Sequence, residues 1–191
     1  MAPLRVLIVD DEAIIRMGLR AMLEEKGYQV IGEAGDGDRA LELAKLLKPD
    51  LIFLDIKMPG MDGIETAAAI MQDRPTPIIL LTAYSDRNLI NRAKETGVLA
   101  YLMKPFKESD LVPTIEIALA RFQEIQALRR EVGDLKETLE TRKLVERAKG
   151  ILMKRYGLSE AEAFQRIQRQ SRNLRKPMKE IAEAIILAEE I

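Results

Sequence analysis

Five short runs of β-branched and other apolar residues, separated by amphipathic stretches, occupy the first 120 residues of this 191-residue chain. The runs are Arg5–Val9, Gln29–Glu33, Leu51–Leu54, Pro77–Leu81 and Leu99–Leu102. Helical spacing fills the intervals at Ala13–Lys26, Arg39–Leu47, Gly63–Gln72 and Asn88–Thr96. Strands that alternate with helices pair in parallel through crossovers. The pattern therefore predicts an α/β unit, a doubly wound five-stranded parallel sheet with helices on both faces. Turn signals fall at the joints, at Lys48-Pro49-Asp50, Met58-Pro59-Gly60 and Pro75-Thr76-Pro77.

After Ser109-Asp110, read as an N-cap, the strand signal vanishes. Pro113 suits a first helical turn, and only Gly133 interrupts the helical pattern from there to about Tyr156. Ile125, Leu128, Val132, Leu135 and Leu139 follow the 3-4-3-4 spacing of a coiled-coil seam, about two heptads long. Gly157 fits a helix C-terminus, and Ser159 with Glu162 fits a capping box opening Ala161–Gln170. Pro177 opens a last helix to about Glu189, with Met178, Ile181, Ala182, Ile185 and Ile186 along one face. The expected organisation is an α/β domain at 3–122, a helical or coiled-coil linker at 123–141 and a small all-α three-helix domain at 142–191.

Composition narrows the chemistry. The chain has no His and no Cys, so it holds no imidazole base, no thiolate nucleophile, no disulfide and no zinc ribbon. Any metal it binds takes oxygen ligands, and any nucleophile is a carboxylate, a hydroxyl or a Lys. The start Met-Ala-Pro-Leu-Arg lacks a signal-peptide layout, and no apolar stretch reaches 18 residues, so the expectation is a soluble cytoplasmic protein without a membrane partner.

Ligands of doubly wound sheets bind beyond the carboxyl ends of the strands. Here the first strand ends in Asp10-Asp11, the third in Asp55, the fourth in Thr82 and the fifth in Lys104-Pro105. Carboxylates crowded on one rim repel one another unless a cation sits among them, and Mg²⁺ suits this oxygen set. Lys104 and Thr82 add a positive charge and a hydroxyl donor, a combination suited to in-line phosphoryl transfer onto a carboxylate. No Walker A or GxGxxG glycine spacing is present, which argues against a nucleotide site.

Val-Asp10-Asp11-Glu, Leu-Asp55-Ile-Lys-Met-Pro-Gly-Met-Asp-Gly, Leu-Thr82-Ala and Tyr101-Leu-Met-Lys104-Pro105-Phe resemble the receiver domains of bacterial two-component response regulators. The resemblance spans about residues 3–122 and implies a flavodoxin-like strand order. It implies that Asp55 accepts a phosphoryl group from a phosphohistidine on a sensor histidine kinase. Asp11, Asp55 and the backbone carbonyl of Lys57 would bind Mg²⁺, with Asp10 assisting. Thr82 and Lys104 would contact the phosphoryl group, Tyr101 would reposition with Thr82, and the Lys104–Pro105 bond would be cis. Lys57 and Tyr84 lie near this pocket and are placed to tune the phosphoryl lifetime. The protein itself is expected not to be an enzyme, beyond assisting its own phosphorylation and dephosphorylation.

Charge divides the chain. Residues 1–120 hold 14 basic and 19 acidic side chains, whereas residues 121–191 hold 16 and 12. From Arg147 to Lys179 there are 10 basic residues against Glu160 and Glu162, a net +8. Such a segment binds polyanions, packs on a protein, or is a solvated face. The joints around Gly157 and Ser171–Lys176 do not give the compact turn and recognition helix of a helix-turn-helix DNA reader. Tyr156 and Phe164 are too few for a stacking platform along a single strand. Shape recognition of a folded RNA loop stays open.

The blocks Glu146-Arg-Ala148-Lys149-Gly150-Ile-Leu-Met153, Gly-Leu-Ser-Glu-Ala-Glu-Ala163-Phe164, Gln-Ser171-Arg-Asn and Lys-Glu-Ile-Ala182-Glu-Ala-Ile-Ile look like an ANTAR domain, over about residues 128–190. That resemblance implies an antitermination regulator that recognises stem-loop RNA in nascent transcripts. Lys149, Arg166, Arg169, Arg172, Arg175 and Lys179 are the candidate RNA-binding residues. Ala148 and Gly150 are small enough for close helix approach, and Phe164, Ile167, Ala182 and Ile185 read as core. The seam at Ile125–Leu139 suggests a homodimer formed on activation. A phosphorylation-switched protein-interaction module, or a DNA binder, is the alternative.

Overall fold

The computed structural model describes residues 2–83, 98 and 100–189. The elements are β1 (Arg5–Val9), α1 (Ala13–Glu25), β2 (Gln29–Ala34), α2 (Gly37–Leu47), β3 (Leu51–Asp55), α3 (Gly63–Asp73), β4 (Ile78–Ala83), β5 (Ala100–Lys104), α4 (Glu108–Tyr156), α5 (Glu160–Leu174) and α6 (Met178–Leu187). The helix expected at Asn88–Thr96, Tyr84, and Leu99 at the start of the fifth run lie outside the described residues.

The chain divides into two compact units, at Ile125/Gln126. In the first, five strands pair in the order β2-β1-β3-β4-β5, all in parallel. Side chains of a strand alternate between faces, and both faces here are covered. Leu7, Val9, Ile52, Leu54, Ile78 and Leu80 pack against Ala40 and Leu43 of α2 and Ile64, Ala67 and Ile70 of α3. Val6, Ile8, Leu51, Phe53, Ile79 and Leu81 pack against Leu19 and Leu23 of α1 and Leu111, Ile115 and Ala118 of α4. Burial on both sides explains why β3 reads as an unbroken apolar run that stops at Asp55. The strand order reverses between β1 and β3, so the crevice beyond Asp10 and Asp55 is the topological switch point.

In the second unit, Val145, Ala148 and Leu152 of α4 close a core with Ala163 and Ile167 of α5 and Ile181, Ala182 and Ile186 of α6. Gly157 ends α4 at φ 65. Ser159 and Glu162 form the expected capping box, the Ser159 side chain accepting the Glu162 N–H while Glu162 accepts the Ser159 N–H. α5 runs to Leu174, four residues past the expected end, and stops where Arg175 takes a left-handed conformation at φ 52.

Several local expectations need correction. α4 begins at Glu108 and not after Asp110, because the Asp110 carboxylate accepts the Lys107 N–H at 3.0 Å from inside the first turn. Pro113 therefore lies in the second turn, where the missing N–H removes one helical hydrogen bond. Gly133 does not break α4, which is continuous from Glu108 to Tyr156. Pro177 is the N-cap residue of α6 rather than its first turn. Phe164 is 40% exposed rather than core, since Ala163 and Ile167 take the inward positions of α5. Gly150 is exposed, and nothing lies near its missing Cβ, so it permits no close approach within the chain.

Candidate functional site

Asp10, the residue after β1, and Asp55, the last of β3, are carried inward by strands that are buried on both faces. Asp10 is fully buried and Asp55 is 4% exposed, whereas Asp11 is open to solvent. Their carboxylates, with that of Asp11, offer three oxygens within 4.8 Å of one another. The Glu12 N–H donates to Asp10 Oδ1 at 2.9 Å, and the Lys57 N–H donates to Asp55 Oδ2 at 3.0 Å. Arg16 holds the loop from the α1 side, donating from Nη1 to the backbone oxygens of Asp10 at 2.6 Å and Asp11 at 3.3 Å.

Lys104, at the end of β5, completes the cluster. Its Nζ lies 2.7 Å from Asp10 Oδ2, 2.7 Å from Asp55 Oδ1 and 3.9 Å from Glu12 Oε1. Asp10 Oδ2, which is fully buried, thus has the Lys104 ammonium as its charge partner. Burial opposes the Lys104 charge, but the two carboxylates outweigh it and raise its pKa above the ordinary value. Burial pushes the Asp55 carboxyl up, against the opposing pull of Lys104. The Lys104–Pro105 bond is cis.

Asp55 and Lys104 line an open cavity of about 230 Å³ with Asp11, Glu12, Lys57, Thr82 and Ala83. Thr82 is buried, and its hydroxyl donates to the Ala83 carbonyl at 3.2 Å. Tyr101 is 53% exposed. The structure thus brings Asp10, Asp11, Asp55, Lys57, Thr82 and Lys104 to one rim, with Tyr101 three residues before the strand end on β5.

Two supports of the site escaped sequence reasoning. Arg16 lies on an amphipathic helix whose spacing does not mark it. Gly63 packs so tightly that a Cβ there would sit 2.0 Å from the Asp55 backbone oxygen. Its N–H donates to Ile56 O at 2.9 Å, which locks the turn after Asp55 against the start of α3. The Asp62-Gly63 pair carried that signal, as a helix-opening cap followed by the smallest residue.

In the second unit, Arg166, Arg169 and Arg172 share one face of α5. With Leu158, Glu162, Gln165, Gln168 and Asn173 they line a groove of about 570 Å³. The Arg166 guanidinium stacks 4.5 Å from the centroid of the Tyr156 ring. Arg175 is exposed beyond the helix end, and Lys179 is half-buried with Nζ 3.8 Å from Glu140 Oε2. Lys149 is placed differently from the other five candidates. It is 6% exposed, and its Nζ lies 2.8 Å from Glu146 and 2.7 Å from Glu160. Those hydrogen bonds raise its pKa, and Lys149 in turn lowers that of Glu160. Its ammonium ties α4 to the start of α5.

Among the described residues no helix is long and apolar enough to cross a membrane. Residues 6–116 match the family model described as response regulator receiver domain, and residues 133–186 match the ANTAR domain. The chain is 55% identical over 184 residues to the transcriptional regulatory protein PdtaR of Mycobacterium tuberculosis, covering 96% of this chain and 90% of that protein. It is 42% identical over 117 residues to the transcriptional regulatory protein LiaR of Bacillus subtilis, covering 60% and 56%. Among solved structures it is similar to the signal receiver domain of a modulated diguanylate cyclase from Desulfovibrio desulfuricans G20. That match has a TM-score of 0.60 at 36% identity and covers 63% of this chain and 97% of that one. With a receiver domain matched around the Asp55 pocket and an ANTAR domain matched over the basic helices, the chain belongs to the two-component response regulators.

Proposed function

We propose that this response regulator is phosphorylated on Asp55 by a sensor histidine kinase and, once phosphorylated, dimerises. In that state it binds stem-loop RNA in nascent transcripts as an antiterminator. The observation that carries the reading is Asp55 itself, a buried carboxylate facing an ammonium across 2.7 Å at the floor of an open pocket. Receiver domains bind Mg²⁺ at an acidic pocket, and the residues here fit. The donor set is entirely hard oxygen, with three carboxylate oxygens within 4.8 Å of one another. Asp11, Asp55 and the Lys57 carbonyl would hold the ion, with Asp10 assisting. When bound, Mg²⁺ supplies positive charge against the phosphoryl oxygens.

The chemistry of the chain's own residues follows. An Asp55 carboxylate oxygen attacks phosphorus in line, the P–N bond of the phosphohistidine breaks, and its electron pair leaves with the imidazole. Asp55 must be ionised to attack, and Lys104 opposes the burial that disfavours that charge. Once the carboxylate has become an acyl phosphate, the Lys104 ammonium is released to pair with the new phosphoryl oxygens, and the Thr82 hydroxyl is the nearby donor for them. A phosphoryl group adds about −1.5 to −2 charge. Throwing a two-state equilibrium from 1:99 to 99:1 requires about 5.5 kcal/mol of preference for one state.

On the output side, Arg166, Arg169, Arg172 and Arg175 are the groups best placed for RNA, and Arg pairs bidentately with phosphates and base edges. Labelling from acetyl phosphate in Mg²⁺ tests the input: the Asp55→Asn protein takes up no label, and normal uptake by it defeats the assignment. Titration of hairpin-RNA and duplex-DNA pools, with and without the donor, tests the output. Donor-enhanced binding to hairpins is the expected result. A second reading, a phosphorylation-switched protein-interaction module, is favoured by the apolar side chains Leu128, Val132, Leu135 and Leu139, each about half exposed on α4. Weak, equal, donor-insensitive binding to both pools selects it.

A further inference from the structure

Phosphate contacts account for the arginines of the second unit but not for the aromatic ring among them. Tyr156, on the last turn of α4, is 51% exposed and takes no part in the core of the unit. Arg166, one turn and a half into α5, lays its guanidinium 4.5 Å from the ring centroid, and Arg155 stands 6.0 Å from it. That stack fixes a planar cation and a planar ring in one place at the surface. The adjoining groove is rich in amides: Gln165, Gln168 and Asn173 lie beside Arg169 and Arg172. Amides add little to phosphate binding, which wants net charge, but they offer the paired donor and acceptor that a base edge presents. Glu162, the carboxylate on this rim, is turned to Ser159, accepting from its N–H at 2.8 Å and from its hydroxyl at 2.6 Å. It stays ionised, but its oxygen is engaged by Ser159, and Arg166, Arg169 and Arg172 outnumber it along the groove.

The geometry points to the Tyr156–Arg166 stack as a seat for one unpaired base of an RNA loop, with the neighbouring amides of α5 reading its edge. The inference rests on the RNA-binding reading given above and deepens it: the arginines hold the backbone, and the ring selects a looped-out base over a paired one. A single ring seats a single base, so the scarcity of aromatics that excludes a track along a strand does not bear on it. Paired bases keep both faces stacked within their own helix, so duplex RNA or DNA cannot fill this seat without unstacking.

The test uses the full-length chain, with Mg²⁺ and acetyl phosphate present throughout, and a hairpin drawn by that chain from a pool with a fixed stem and a randomised loop. Binding is measured to this hairpin and to versions with each loop nucleotide made abasic in turn. Stacking of one base predicts that Tyr156→Ala weakens binding roughly 10- to 100-fold, while Tyr156→Phe keeps it. It predicts that Tyr156→Ala costs nothing further on the hairpin lacking one particular base, and that the salt dependence of binding is unchanged because no phosphate contact is lost. A loss that is equal for every abasic hairpin assigns Tyr156 to the packing of the unit and overturns the inference alone, as does unchanged binding by Tyr156→Ala. Failure of the unaltered chain to enrich any hairpin overturns the RNA reading and this inference together.

Discussion

Lys104 Nζ stands 2.7 Å from Asp55 Oδ1, so the carboxylate proposed as nucleophile is held as one half of a buried ion pair. The pair does not fully offset desolvation, because the Asp55 carboxyl remains above its ordinary value of 3.8. The native state then binds this proton more tightly than the unfolded chain does. The group favours folding below the ordinary carboxyl range, and that contribution is lost as pH rises through the folded pKa. At neutral pH the desolvation of the ionised carboxylate is a cost, set against what its charge contributes to holding the Lys104 ammonium. Asp55→Asn, which keeps the shape and removes the charge, should melt a few degrees above the unaltered protein at pH 7. The gap should close as pH falls towards 4. Melting curves across that range check the sign, and a mutant less stable at pH 7 would show that the Lys104 pair outweighs desolvation.

The same crowding should make the first unit sensitive to divalent cations. Three carboxylate oxygens within 4.8 Å of one another repel, and a cation binding only the native arrangement stabilises it. At 100 times its dissociation constant, Mg²⁺ should add about 2.7 kcal/mol. The shift should shrink in Asp11→Asn and vanish in acid, where the carboxyls no longer ligate. Calorimetry of the first transition with Mg²⁺ and with chelator, at matched ionic strength, gives the answer.

How much of this could be read from the chain depended on the range of the interaction. β3 and the carboxylates at the ends of β1 and β3 were legible because a strand buried on both faces must be apolar until it reaches the rim, where charge returns. The capping box at Ser159 was legible because cap and partner are three residues apart. Lys149 was not, since a lysine in a basic segment reads as a surface cation and its partner Glu160 is 11 residues away across a turn. Its stem is buried while its ammonium meets two carboxylates, an arrangement that no local period reveals. Gly63 and Arg16 escaped for the same reason, as each acts on the backbone of a residue that only the fold brings near.

Lys149 and Arg169 should consequently separate in experiment. Lys149→Met removes the tie from α4 to α5, and the second unit should lose stability at pH 7. The raised pKa of Lys149 means that its contribution is present below the ordinary amine value and lost as pH rises through the folded one. The lowered pKa of Glu160 means that its contribution is present above the ordinary carboxyl value and lost as pH falls through the folded one. The stability difference should thus be flat from about pH 5 to pH 10 and fade beyond both ends. Arg169→Gln should leave melting unchanged and lower the salt slope of RNA binding by about one. Reversed behaviour of the two variants would return Lys149 to the RNA-binding set.

Gly133 and Gly150 both lie inside α4 with open space where a Cβ would go. Neither is at positive φ, so alanine fits the backbone at both. Gly133→Ala and Gly150→Ala should each stabilise the helix by about 0.5–1 kcal/mol, through propensity and the restricted unfolded chain. Chemical denaturation measures this directly. If Gly150→Ala is stabilising yet impairs RNA binding, the glycine keeps room for something that is not part of this chain.

The seam of α4 decides between self-association and a foreign partner. Leu128, Val132, Leu135 and Leu139 are 53%, 49%, 62% and 53% exposed, so replacing one removes little packing within the chain. In a two-stranded coiled coil the same side chains interdigitate with their copies, and a charge at the centre of two heptads leaves each strand facing its like. Leu135→Glu should therefore leave the melting of a dilute, monomeric sample unchanged and abolish any phosphodonor-induced dimer in sedimentation. Two RNA-binding units joined in a dimer gain effective concentration on paired hairpins, so the variant should also lose the advantage of a two-hairpin RNA over a single one. Retention of the dimer by Leu135→Glu would place the self-association elsewhere, and a variant that stays monomeric with undiminished two-hairpin preference would detach dimerisation from RNA recognition.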